Sequence, residues 1–303
     1  MPNVNSEMNN NPLKIVLNRP FSAIIFIPKF KSHHSLGKIG IAKIKKTNPS
    51  LIRGKTVLIT GAGGVIGREV ARLFNYEGAN VFLVDKDIKS LQETQNLMNS
   101  NSAIHQSDLT IPNSSKSIID NCLQKFGGID ILISNAGVAL ESSILELDID
   151  KLKESFELNF FAHFNLSKEF SKVLINQGVG GKILFNVSKQ AVNPGKNFGA
   201  YGLPKATLMF FLKQLALELG KHNISVNGIN ADKIRSGLLT PKLIKARSKS
   251  RGINEKQYMT NNLLAKEVEA KHVAEGFLSL ALANRTSAHI LTIDGGNIEA
   301  SLR

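Results

Sequence analysis

The chain has 303 residues, 42% apolar and 20% charged, which excludes wholesale disorder and leaves room for one large core. A single cysteine, Cys122, excludes an intrachain disulfide framework and a cysteine-rich metal site, and fits a reducing, cytoplasmic setting. The net charge of +14 is local: residues 1–55 carry ten Lys/Arg against Glu7, residues 233–256 carry eight against Glu255, and the remainder nets −2, which is not the spread basic face of a nucleic-acid binder.

Residues 1–50 read as a basic, poorly ordered N-terminal extension, and residues 51–303 as one domain. Residues 1–12 are Asn-rich, and residues 23–27 suit a short strand. The apolar run 21–28 is about a third of the roughly 20 residues that cross a membrane, so no membrane partner is expected. It also starts late and lacks a small-residue cleavage pattern, against a secretory signal. The scarcity of acids leaves an organellar transit peptide as a weaker reading, although Arg is scarce too.

From Lys55 short β-branched runs alternate with longer helical segments. Strands are predicted at 56–60, 80–85, 103–107, 129–134, 182–186, 225–229 and 289–292. Helices are predicted at 65–77, 87–98, 113–126, 149–176, 199–221 and 267–283. Apolar strands alternating with helices imply an α/β fold: a single Rossmann-type, doubly wound, parallel seven-stranded sheet with helices on both faces.

The first strand runs into TGAGGVIG at 60–67 and then a helix. Free amides and the helix dipole there make an anion site suited to a pyrophosphate. Gly61 permits the tight turn, and Gly67 lets helix and sheet approach. The second strand ends in Asp85, whose carboxylate suits two ribose hydroxyls and repels a 2′-phosphate, favouring NAD over NADP. Lys86 follows directly and pulls the other way, and Asp85 as a helix cap is the structural alternative. Asp108 follows the third strand, and Asn135-Ala136-Gly137 follows the fourth.

Tyr201 and Lys205 stand four apart at the start of a predicted helix, so they share a face. Ser188 precedes Tyr201 by 13 residues and ends the fifth strand, at the carboxyl edge where such sheets bind ligands. Pro204, tolerated in a first turn, supports a helix start near 199–201.

With the glycine turn, Asn-Ala-Gly, Ser188, Tyr201-x-x-x-Lys205 and Ile293-Asp294-Gly295-Gly296 in this order, the chain from about residue 55 resembles the short-chain dehydrogenase/reductase family. The resemblance implies an NAD-dependent enzyme with Tyr201 as general acid/base, Lys205 as its pKa partner, Ser188 as anchor of the substrate oxygen and Asn159 supporting a water relay. It implies cofactor contacts from Gly61, Gly64, Val65, Ile66, Gly67, Asp85, Asp108, Asn135, Ala136, Gly137, Tyr201, Lys205 and Ile234, and no metal. It implies a small alcohol or carbonyl substrate and a homodimer or homotetramer built on the helices 149–176 and 199–221. Tyrosine ordinarily titrates near ~10, so a base at neutral pH needs its pKa lowered, here by the neighbouring ammonium and an oxidised nicotinamide.

Residues 183–303 carry a narrower likeness. ILFNVSKQAVNPGKNFGAYGLPK, NADKIRSGLLT, YMTNNLL and LTIDGGNIEASLR resemble the dehydrogenase half of the bifunctional rhamnulose-phosphate aldolase/alcohol dehydrogenases. That likeness implies oxidation of a lactaldehyde-like or sugar-derived carbonyl, with the aldolase half absent, since 50 residues cannot hold it. Val65 replaces the second glycine of the usual loop, although Gly61, Gly64 and Gly67 keep an alternative spacing. A branched side chain there crowds a pyrophosphate, and a catalytically impaired dinucleotide-binding or oligomeric scaffold is the alternative it raises. Ala231-Asp232 stands for the usual Pro-Gly, in agreement with the narrower family, and Ser134 replaces an Asn. The basic segment 233–256 falls where the family places its substrate lid. It reads first as a solvated mobile loop or oligomer contact and second as an anion clamp led by Arg235.

Overall fold

A computed structural model describes residues 51–99 and 101–297. The readings made for residues 1–50, including the strand at 23–27, lie outside the described residues.

Seven strands form one parallel sheet: β1 Thr56–Thr60, β2 Asn80–Asp85, β3 Ser102–Gln106, β4 Ile131–Ser134, β5 Gly181–Asn186, β6 Ile224–Ala231 and β7 Ile290–Ile293. Their order is β3-β2-β1-β4-β5-β6-β7. The chain therefore winds outward in one direction from β1, returns, and winds in the other from β4. The gap between β1 and β4 is the switch point where the first turns of two halves diverge. Register sets Thr56 beside Asn80 and Val57 beside Ile131.

Side chains alternate across the sheet, and both faces are covered. Val57, Ile59, Val81 and Leu83 pack into one core with α1 (Val65–Tyr76) and a C-terminal helix, Ala270–Leu282. Leu58, Phe82, Val84, Leu132 and Phe185 pack into the other, against helices that include α3 (Ser114–Phe126). Continuous apolar strands are what two buried faces require. Between β2 and β3 lies α2, Ile88–Gln95, capped by the Asp87 side chain on the Lys89 amide.

After β4 the chain forms α4 (Ile149–Phe156), a π turn (Glu157–Phe161) and α5 (Ala162–Gln177). The predicted single helix is thus interrupted by a wide turn centred on Asn159. The long α6 spans Gly199–Leu219 and contains Pro204 at its sixth position. Proline was expected in the first turn, and the structure corrects this: Pro204 is in the helix interior. Its missing N–H leaves the Ala200 carbonyl without its helical donor. The Ser155 hydroxyl donates to that carbonyl at 2.6 Å, which is why the helix tolerates the residue.

The basic segment after β6 is also corrected. Where a loop or oligomer contact was expected, the segment holds two helices: α7, Pro241–Ser250, capped by Thr240 on the Leu243 amide, and α8, Glu255–Thr260, with a capping box between Asn254 and Gln257. Leu239, Ile244, Tyr258 and Met259 form a third, separate cluster beneath them. The C-terminal helix Ala270–Leu282 is α9.

Candidate active site

The carboxyl edge of the sheet borders a cavity of about 730 Å³, a size suited to a small-molecule ligand. Every strand from β1 to β6 delivers residues to it at its end.

Gly61, Gly64, Val65, Ile66 and Gly67 line one end. Gly61 has φ +64°, and a Cβ on it would lie 2.9 Å from the Ala136 Cα. A Cβ on Gly67 would collide with the Gly61 carbonyl oxygen. These two glycines are therefore required by the turn itself. At Gly64 a Cβ would meet only the Gly61 carbonyl at 3.4 Å, so the space over the turn is open. Val65 is the first residue of α1 with 46% of its surface exposed, and it borders this space.

Asp85 lines the cavity at the end of β2 and accepts the Gly63 amide at 3.0 Å and the Asp87 amide at 3.2 Å. The carboxylate thus fixes the glycine turn from the side. The cap of α2 is Asp87, not Asp85. Asp108 accepts both the amide and hydroxyl of Thr110, at 2.9 and 2.7 Å, and these bonds hold its carboxyl below the usual range. It borders the cavity beside Lys86 and Ser107.

Asn135, Ala136 and Gly137 follow β4 on the cavity wall. Asn135 joins three strands: its Nδ2 donates to the Thr60 carbonyl at 3.0 Å and its Oδ1 accepts from Asn186 Nδ2 at 2.8 Å. Ser134 turns away from the cavity, its Oγ 2.6 Å from His163 Nδ1. His163 is fully enclosed, and burial first, then the Lys205 charge, push its pKa far down, so the ring is neutral.

Ser188, Tyr201 and Lys205 meet on the opposite wall. The Tyr201 hydroxyl faces the Ser188 side chain, which favours its charged form. Lys205 Nζ donates to the Asn186 carbonyl at 2.9 Å and lies 5.9 Å from the Tyr201 ring centre. In the protein alone the phenol is not activated. Burial pushes the Tyr201 hydroxyl up to about 12, outweighing the effect of Ser188, and burial brings Lys205 down to about 7. In the dinucleotide-free protein one desolvated cavity disfavours both charges.

Asn159 does not line the cavity. It is fully buried in the π turn, where its Oδ1 accepts the Val138 amide at 3.1 Å and its Nδ2 donates to the Val138 carbonyl at 2.9 Å and to Ser155 Oγ at 3.1 Å. A Cβ on Gly137 would lie 2.9 Å from that Oδ1, so Asn159 and Gly137 fit as a pair. Ile234, just beyond β6, is buried and lines the cavity.

Further residues support or line the cavity. Lys189 and Asp294 form an enclosed ion pair of 2.6 Å that ties the segment after β5 to the one after β7. Phe198, Leu239, Leu243, Arg247 and Tyr258 close the end near Tyr201. Arg235, the clamp of the second reading, does not line the cavity; its Nε and Nη2 both bond Glu267. Among the described residues no group of three or more His, Cys, Asp or Glu is placed to hold a metal, and no helix is long and apolar enough to cross a membrane.

The sequence profile of the short chain dehydrogenase family matches residues 55–245. The chain is 30% identical over 257 residues to the 7alpha-hydroxysteroid dehydrogenase of Escherichia coli K12, covering 81% of this chain and 95% of that protein. It is 28% identical over 255 residues to the uncharacterized oxidoreductase YuxG of Bacillus subtilis; the match covers 80% of this chain but only 37% of that longer protein. Among solved structures, the L-sorbose reductase of Gluconobacter frateurii, complexed with NADPH and L-sorbose, superposes with a TM-score of 0.76 at 29% identity, covering 83% of this chain and 99% of that one. The 3-ketoacyl-(acyl-carrier-protein) reductase of Brucella melitensis, complexed with NADH, shares the fold at a TM-score of 0.74 and 23% identity, covering 81% and 99%.

Proposed function

The chain belongs to the short-chain dehydrogenase family and is an oxidoreductase of CH–OH and carbonyl groups, and from that premise we propose an NAD-dependent enzyme of small, lactaldehyde-like or sugar-derived substrates, with Tyr201 as general acid/base. The observation that carries this reading is that Ser188, Tyr201 and buried Lys205 meet on one wall of a cavity whose other end is the glycine turn.

A bound nicotinamide dinucleotide supplies the hydride donor or acceptor. Gly61, Gly64 and Gly67 leave open space at the start of α1 for its pyrophosphate, with Asp85 toward a ribose and Ile66, Asp108, Asn135, Ala136, Gly137 and Ile234 along the wall. A Cβ on Gly64 would meet only the Gly61 carbonyl, which supports a turn with room for a pyrophosphate beside Val65.

Tyr201 Oη holds the proton that moves to or from the substrate oxygen. Ser188 Oγ hydrogen-bonds the same oxygen and stabilises charge developing on it. Protonated Lys205 lowers the cost of the phenolate. Asn159 acts one step back, holding Val138 and hence the wall at Gly137. The lactaldehyde-like assignment draws support from the likeness of residues 183–303 to one half of a two-part enzyme and from the match to a part of the longer YuxG. The L-sorbose reductase structure shows a sugar-type substrate in a similar fold.

The test joins two measurements. Calorimetry is expected to give NADH binding at least ~10-fold tighter than NADPH, a difference of about 1.4 kcal/mol; equal or reversed affinities would overturn the NAD assignment. With lactaldehyde and the preferred dinucleotide, Tyr201→Phe is expected to lower kcat by roughly 10²–10⁴ while dinucleotide affinity holds. An unchanged rate would remove Tyr201 from the chemistry.

A further inference from the structure

Eight cations lie in residues 233–256, and α7 sorts them. Ile244 and Ser248 are buried and define its inner face. Arg247 falls beside them, three residues after Ile244, and lines the cavity; Lys242, Lys245 and Lys249 are exposed. The Arg247 guanidinium lies 4.0 Å from the centre of the Phe198 ring, and Phe198 in turn meets the Tyr201 ring edge-on at 6.3 Å. Arg247 is thus two aromatic contacts from the proposed acid/base. Its Nη1 is 3.5 Å from the Tyr258 hydroxyl, and Lys233 and Arg251 sit 5.2 and 5.0 Å from the Tyr258 ring centre. Three cations therefore converge on one buried tyrosine at this end.

One carboxylate, Glu141, pairs with Arg247. Asp232 lines the cavity and accepts from Asn297 Nδ2 at 2.9 Å. Glu141 reaches one guanidinium nitrogen, Nη2, at 3.0 Å, and is 42% exposed against 23% for Arg247. Glu141 is held there because the neighbouring Ser142 pairs its backbone with the strand-like segment at Asn197–Phe198. An exposed, one-pronged ion pair is weakly held. A planar guanidinium takes carboxylate or phosphate with two parallel bonds, and more strongly where water is excluded. Arg235 shows the contrast: Glu267 already holds it through two nitrogens, outside the cavity.

We propose that Arg247 determines specificity by binding an oxyanion, carboxylate or phosphate, on the substrate at the end remote from the reacting carbon, displacing Glu141. This rests on the oxidoreductase reading above and adds the substrate's charge class to it. Lys233 and Arg251 add positive field, and the stacked Phe198 holds the guanidinium plane in place.

The test uses two matched pairs on dinucleotide-loaded protein, read by calorimetry: dihydroxyacetone phosphate against dihydroxyacetone, and acetoacetate against 4-hydroxy-2-butanone. At least one anion is expected to bind about tenfold to hundredfold tighter than its neutral twin. Which pair shows it tells phosphate from carboxylate. Arg247→Met is expected to bring the anion's affinity down to that of its neutral twin, Arg247→Lys to restore part of the preference, and Glu141→Gln to tighten the anion. Melting curves confirm that each variant is folded. Equal binding within both pairs, no binding of any of the four, or a preference that survives in Arg247→Met overturns the proposal. Neutral twins that bind and turn over with no anion preference overturn it while leaving the oxidoreductase reading intact.

Discussion

Burial acts on Lys205 and Tyr201 in opposite directions. Burial sets Lys205 at about 7 and Tyr201 at about 12, against ordinary values of 10.5 and 10.0. Between pH 7 and 10.5 the folded chain binds fewer protons at Lys205 than the unfolded chain, so this residue makes stability rise with pH across that window. Tyr201 acts oppositely between pH 10 and 12, where the unfolded phenol ionises and the folded one does not. Lys205→Met is therefore expected to lessen the gain in urea stability of the dinucleotide-free protein between pH 7 and 9, by up to about 1.4 kcal/mol per pH unit; identical slopes would mean that Lys205 is charged in its pocket. The identities at this site were legible because Tyr201 and Lys205 lie on one helical face and Ser188 at a strand end. Their ionisation was not, since it depends on how completely other segments exclude water. Arg247 was hidden for the same reason: one cation among eight is singled out only by which face of α7 turns inward.

Helix interiors hold the less obvious constraints. Pro204 removes a backbone donor inside α6, and Ser155 on α4 replaces it at the Ala200 carbonyl while accepting from Asn159 Nδ2. One hydroxyl thus couples the start of the Tyr201 helix to the π turn that holds Val138. Ser155→Ala leaves a buried carbonyl unsatisfied and removes one Asn159 bond, so a loss of about 1–3 kcal/mol is expected in urea unfolding. Restoring the helical bond with Pro204→Ala in the same chain is expected to recover part of it; additive losses would show the two positions to be independent. Strand and helix positions followed from apolar periodicity to within a few residues, as at β1 and α1. The π turn did not, because ELNFF has the composition of ordinary helix. Nor did α7 and α8: their lysines mask the few apolar residues, Leu239, Ile244, Tyr258 and Met259, that make their small core.

At the scale of the whole molecule the parallel sheet was the most legible feature, because strands buried on both faces leave unbroken apolar runs. Not everything apolar is covered, however. Leu203, Phe210 and Leu217 recur every seven residues along α6 and are 47%, 71% and 78% exposed. A heptad stripe of this kind pairs with another helix, and Phe161 on the π turn is also exposed. The protein is expected to sediment as a dimer or tetramer, and Phe210→Glu to shift it toward monomer; a wild-type monomer at micromolar concentration would refute this. The proline in the interior of α6 also bears on how such a molecule changes over generations. While position 204 is proline, serine at 155 carries two duties; once 204 regains an N–H, only the bond from Asn159 still constrains it. The order of substitutions is therefore constrained, and the path through sequence space runs through 204 first.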